Sequence, residues 1–114
     1  MRLTSETWVS ALVRRILGEG GFAAVIRRGN AQAGAVFVTV RDRDGAVRLL
    51  VPAPQSLMET DERRFVERPV ADESEIERIL ASEQRFDSDL WVVEFEGLAG
   101  PLDNYLNLVS GDDV

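Results

Sequence analysis

The sequence predicts an α+β fold: two main helices packed on one face of a mostly antiparallel sheet of four to five strands, in the order α-β-β-β-(β)-α-β. Three observations predict it. Two stretches carry apolar residues at helical spacing behind a capping residue. Short Val- and Phe-rich runs between them alternate at strand period. The composition, 45% hydrophobic and 29% charged, is that of a globular chain. A length of 114 residues suits one domain, and no repeat, linker or low-complexity block divides it. The expectation is a single domain with a frayed end at residues 110–114.

The first helix is expected from Ser5 to Leu17. Thr4 or Ser5 caps it by accepting from an orphan backbone N–H, and Glu6 suits the positive end of the helix dipole. Trp8, Val9, Leu12, Val13, Ile16 and Leu17 form its apolar stripe. Gly18-Glu19-Gly20-Gly21 ends it. Phe22–Arg28, Gly34–Arg41 and Ala46–Val51 then read as three strands of an antiparallel meander. Asp44-Gly45 signals a hairpin between the second and third, and Gly29 to Ala33 serves as a loop between the first and second. Pro52-Ala53-Pro54-Gln55 interrupts the pattern, and Ser56–Glu62 is a polar connection. Arg64–Val70, stopped by Pro69, is an edge strand. Asp72 opens the second helix with Glu75 three residues on, as in a capping box, and Ile76, Ile79 and Leu80 supply its stripe. Asp89–Glu96 is the last strand. The tail from Leu102 to Val109 is either a short helix packed on the domain or a partner-binding segment.

Strand alternation shows that the sheet has no wholly wet face. Trp91, Val93 and Phe95 share one side of the last strand, and Leu90 and Val92 the other. Val36, Val38 and Val40 oppose Phe37 and Thr39. If both helices cover one face, the other keeps an apolar patch, which is the sign of a homodimer or another protein partner. The alternative is cover by the connection after Pro52 and by the tail.

The residue types that are missing exclude much chemistry. There is no Cys and no His, and all 13 basic residues are Arg. Thiolate nucleophiles, disulfides, imidazole bases, His- or Cys-ligated metals, Schiff bases and P-loop lysines are thereby removed. The net charge of −7 disfavours free nucleic acid as the ligand. The first residues hold no apolar signal core, and no apolar run approaches the ~20 residues of a membrane span. The expectation is a cytoplasmic protein that binds no membrane and needs no cofactor.

Carboxylates, hydroxyls and guanidinium groups remain. Glu94 and Glu96 point to the same face of one strand and can share a hard cation such as Mg²⁺ or Mn²⁺, with Asp87 and Asp89 as further ligands. The plainer reading makes Asp87-Ser88-Asp89 an Asx-type turn and the glutamates solvated acids. Arg27 and Arg28 are candidates for binding an anionic small molecule, together with Arg14, Arg15, Arg41 or Arg48. As strand neighbours they point opposite ways, and ion pairing with some of the 20 acidic residues is the plainer account of them. Trp8 and Trp91 read as core residues, and Trp91, flanked by acids, is also a candidate pocket wall.

The element order resembles, loosely, the core of PD-(D/E)xK nucleases. Those need acids and a lysine on the central hairpin, and Ala46-Val47-Arg48-Leu49-Leu50-Val51 has neither. Three blocks carry a closer likeness: Arg2 to Ala11; Arg27-Arg28-Gly29 with Ala33 to Val38; and Asp87-Ser88-Asp89-Leu90-Trp91-Val92-Val93-Glu94. Together these resemble the bacterial domain of unknown function 1491 over roughly residues 2–96. The resemblance implies a small single-domain bacterial protein and brings no catalytic or ligand residues with it. The functional expectation is a small acidic binding or interaction module that self-associates and is not catalytic. The alternatives are a carboxylate-based Mg²⁺- or Mn²⁺-dependent enzyme and an arginine-lined anion pocket.

Overall fold

A computed structural model describes residues 3–54 and 62–110. The expected polar connection at 56–62 and the frayed end at 110–114 lie almost wholly outside the described residues. Helix α1, Ser5–Gly18, starts where its cap requires. The Thr4 side chain accepts from the Thr7 N–H at 3.2 Å, a contact worth about 1 kcal/mol. Strands β1 (Phe22–Arg27), β2 (Val36–Arg41), β3 (Val47–Pro52) and β4 (Arg64–Arg68) follow. Helix α2, Glu73–Phe86, is capped by Asp72, whose side chain accepts from the Glu75 N–H at 2.9 Å. Strand β5 (Trp91–Glu96), a 3-10 turn (Leu102–Asn104) and the two-residue strand β6 (Asn107–Leu108) complete the chain.

The sheet corrects the expectation in two ways. It has six strands, ordered β1-β5-β2-β3-β4-β6. It is also mixed: β5 lies parallel to β2, and β6 parallel to β4. The β2–β3 and β3–β4 pairs are antiparallel, as expected. The first and second strands form no hairpin, because β5 inserts between them and pairs antiparallel with β1. The residues of β5 explain the insertion. Trp91, Val92 and Val93 are buried in succession, so both faces of this strand need cover, and a central position beside a parallel neighbour supplies it.

The helices lie on opposite faces, which is a further correction. Val9, Leu12 and Ile16 of α1 pack with Val36, Val38, Val40, Trp91, Val93 and Phe95. Leu80 of α2 packs instead with Phe37, Leu90 and Val92. Each helix therefore answers one set of alternating apolar residues. Leu17 leaves the expected stripe and is exposed, since the helix ends as it passes the sheet. Trp8 is half-buried and stacks on Phe65, ring centroids 5.7 Å apart.

The tail is part of the core. Leu102, Tyr105 and Leu106 are buried beside α1, and the Val109 N–H donates to the Phe65 carbonyl at 2.9 Å. The Tyr105 hydroxyl donates to Glu19 at 2.5 Å, and Arg15 lies over the Tyr105 ring at 4.5 Å. The hydrogen bond to Glu19 raises the Tyr105 phenol above its ordinary value. The same bond lowers the Glu19 carboxyl, with help from Arg15. A lowered carboxyl contributes stability above the ordinary carboxylate range and loses it as pH falls through the folded value. A raised phenol contributes below the ordinary tyrosine range and loses it as pH rises through the folded value. The tail is thus held best between those limits. Tyr105 is the one tyrosine, so tyrosinate absorbance reports it directly. In Glu19→Gln the phenol is expected to titrate at lower pH than in the parent. An unmoved titration would show that Glu19 does not hold it.

Candidate functional site

Arg27, Arg28 and Trp91, singled out in the sequence, gather around one backbone crossing. Between β1 and β2 the chain passes over the start of β5. Asn30 donates its N–H to the Asp89 carbonyl at 2.8 Å, and Trp91 donates its N–H to the Ala35 carbonyl at 2.7 Å. The Trp91 indole N–H donates to the Asn30 carbonyl at 2.8 Å. The Asn30 side chain accepts from the Gln32 and Ala33 N–H groups and closes the loop as an Asx turn. The start of α1 holds the other side. Ser5 and Glu6 donate their N–H groups to the Gln32 and Ala31 carbonyls. The buried Ser5 hydroxyl donates to the Gly34 carbonyl at 2.6 Å. Two glycines permit the close pass. A Cβ at Gly29 would sit 2.1 Å from the Asp89 oxygen, and one at Gly34 would sit 2.3 Å from it.

Arg27 and Arg28 stand on this crossing and diverge, as strand neighbours should. Arg27 donates to the Ser88 carbonyl at 2.8 Å. Arg28 pairs with Glu6 and lies 5.1 Å above the Trp91 ring. Trp91 is 1% exposed, with its ring in the core beneath Arg28. The three candidate ligand residues thus share one neighbourhood, where each holds one chain segment against another. Arg41, Arg48 and Arg68 also pair between elements, with Glu73, Glu67 and Glu83.

The four candidate metal ligands divide into two pairs. Asp87 accepts from the Asp89 N–H at 2.9 Å in a turn before β5. Glu94 and Glu96 lie farther along β5, on the face opposite Trp91. At ~3.3 Å per residue the strand alone sets Glu94 about 10 Å beyond Trp91, with Asp87 and Asp89 in the turn before it, so one ion cannot collect all four. Among the described residues, no group of three or more acidic side chains gathers into a metal-binding cluster. Arg41 faces the glutamate pair. Its guanidinium is held above the ordinary value by its hydrogen bond to Glu73 first, with Glu96 and Glu94 adding through space.

One feature escaped the sequence reading. Strand β1 forms an edge of the sheet, while the opposite edge, β6, is only two residues long. On β1, Phe22 is 47% exposed, Val25 43% and Ile26 61%. Exposed Leu17, at the end of α1, precedes the strand. A register shift between Val25 and Arg27 marks a bulge at Ile26. The signal was present as the low-charge run Phe22-Ala23-Ala24-Val25-Ile26, but only the strand order shows that it lies at an edge. No helix among the described residues is long and apolar enough to cross a membrane.

Comparison with known proteins gives a consistent picture. The model of a family described as protein of unknown function (DUF1491) matches residues 3–101. A protein of A. tumefaciens, solved in solution, is 48% identical with a TM-score of 0.82, over 96% of this chain and 97% of that one. The crystal structure of a DUF1491 family protein from Caulobacter crescentus is 36% identical with a TM-score of 0.76, over 96% of this chain and 100% of that one. An NMR structure of a DUF1491 family protein from the same organism is 35% identical with a TM-score of 0.79, over 96% and 99%. No curated protein matches the chain.

Proposed function

The chain belongs to the DUF1491 family of proteins of unknown function, and from that premise we propose that it is a non-catalytic interaction module that pairs with a second copy through the open edge of β1. The observation that carries this reading is the character of that edge. It is the one long outer strand among the described residues, and it exposes apolar side chains. An unpaired row of backbone N–H and C=O groups beside such side chains is a template for another strand.

The ends of β1 carry opposite charges, and this favours a copy of the same chain over an unrelated partner. Arg27 and Arg28 stand at its C-terminal end. Glu96 lies opposite Phe22 at its N-terminal end, and Glu94 lies opposite Ala24. Antiparallel pairing about a two-fold axis sets the arginine end of one copy beside the glutamate end of the other. Arg27 lies opposite Val92, which shares a face with Glu94 and Glu96. A two-fold axis normal to the sheet preserves that face, so Arg27 and the partner copy's glutamates lie on one side of the paired sheets, about 10 Å apart at the backbone. The interface is self-complementary, as a symmetric dimer requires. The bulge at Ile26 bends the strand end and confines pairing to the part before it.

Light scattering after gel filtration tests the reading. At micromolar concentration the expected mass is that of two chains. Val25→Lys places a charge on the exposed edge without touching the core, and the expected mass is that of one folded chain. A one-chain mass for the unaltered protein would overturn the proposal. In the cell, a dimer of this kind is proposed to act in the cytoplasm.

A further inference from the structure

The cavity at the far end of the sheet belongs to neither the crossing nor the β1 edge. Strands β2 and β5 run parallel as neighbours and end together, Arg41 beside Glu96. Beyond them, the β2–β3 turn and the segment from Gly97 to Leu102 enclose a cavity of about 180 Å³. Arg41, Asp42, Arg43 and Arg48 line it, with Val40 and Leu102 among its apolar walls.

The donors are unevenly used. Arg48 gives Nε and one Nη to Glu67, at 3.1 and 2.7 Å, which leaves its other Nη free of that pair. Arg41 is engaged by Glu73. Among the described residues, Arg43 makes no ion pair, and it is exposed at the mouth. Asp42 is the one carboxylate in the lining, beside three arginines, of which Arg41 gives its guanidinium to Glu73 of α2. A guanidinium carries five N–H donors in a planar fork, so an arginine already paired on one side still binds an oxyanion on the other.

We propose that this cavity binds a small molecule bearing one compact oxyanion, a carboxylate or a phosphate, on a short hydrocarbon body. Arg43 and the free edge of Arg48 take the oxyanion, and Val40 and Leu102 take the body. The volume suits an oxyanion on a few carbon atoms. This site is independent of the β1 edge, so either proposal can fail alone.

Backbone amide shifts in a ¹⁵N spectrum test it, with butyrate, phenyl phosphate and inorganic phosphate as probes at constant ionic strength. The expected result is saturable shifts confined to residues 41–48 and 97–102, with phenyl phosphate or butyrate binding more tightly than inorganic phosphate. Butanol, which has the body without the charge, is expected to leave these amides unmoved. Arg43→Gln removes an exposed side chain that supports no other contact, and it is expected to weaken binding about tenfold, the worth of one charge-assisted hydrogen bond. Arg14→Gln, an exposed change on α1, is expected to leave binding as it was. Absence of saturable shifts with all three probes would overturn the proposal. So would equal loss in Arg14→Gln and Arg43→Gln, which would mark non-specific attraction.

Discussion

Gly29→Ala is expected to destabilise the protein by about 3 kcal/mol or more, beyond the usual range for a one-methyl overpacking. The added Cβ would meet the Asp89 oxygen at 2.1 Å and the Leu90 carbonyl carbon and oxygen at 2.6 Å. These are backbone atoms of the segment that leads into central strand β5, and they cannot swing aside as a side chain would. Relief requires lifting the loop, and that breaks the hydrogen bonds from Asn30 to Asp89 and from Trp91 to Ala35 and Asn30. For 114 residues such a loss lowers the melting temperature by roughly 12 °C. Thermal unfolding followed by circular dichroism checks this. A shift of a few degrees would mean that the loop yields easily and the crossing is not a structural keystone.

The second large effect is expected at Trp91. Trp91→Ala leaves a cavity in the main core, and large aromatic truncations of this kind cost ~3–5 kcal/mol. It also strips the Asn30 carbonyl of its indole donor and Arg28 of the ring beneath it. By contrast, Arg28→Gln removes an exposed ion pair and one cation–π contact, together about 1 kcal/mol. Urea unfolding of the two variants separates the roles. If Arg28→Gln costs as much as Trp91→Ala, the arginine and not the packed ring holds the crossing.

Much of the fold was legible in the residues. The Thr4 and Asp72 caps place both helix starts, and Asp44-Gly45 places the β2–β3 hairpin, because capping and turn chemistry are local. Alternation in β2 and β5 correctly showed a sheet apolar on both sides. Strand order was not legible. Placing β5 between β1 and β2 depends on contacts some seventy residues apart in sequence, and on two glycines whose need appears only where Asp89 passes them. The division of the helices between two faces follows from that order and was hidden with it. The tail carried its signal in Leu102, Tyr105 and Leu106, but apolar spacing alone does not separate a docked segment from one awaiting a partner.

The candidate site was legible in part. The blocks containing Arg27, Arg28 and Trp91 do meet in space, and their divergence follows from strand geometry. Their meeting is explained by packing: Arg27, Arg28 and the Trp91 indole each reach a partner within the chain, although the buried Arg27 Nε has none. The cavity beside Arg43 was not legible. Asp42-Arg43-Asp44-Gly45 reads as a turn, and nothing local shows that the residues after Gly97 lie against it. The β1 edge was hidden for the same reason as the strand order.

Hydrogen exchange of the β1 amides tests the proposed pairing most directly. Amides that point away from β5 have no partner within one chain and are expected to exchange quickly at high dilution. If two copies pair along β1, those amides become protected as concentration rises, and Val25→Lys abolishes the protection. Fast exchange at every concentration, with the amides facing β5 protected throughout, would contradict the account.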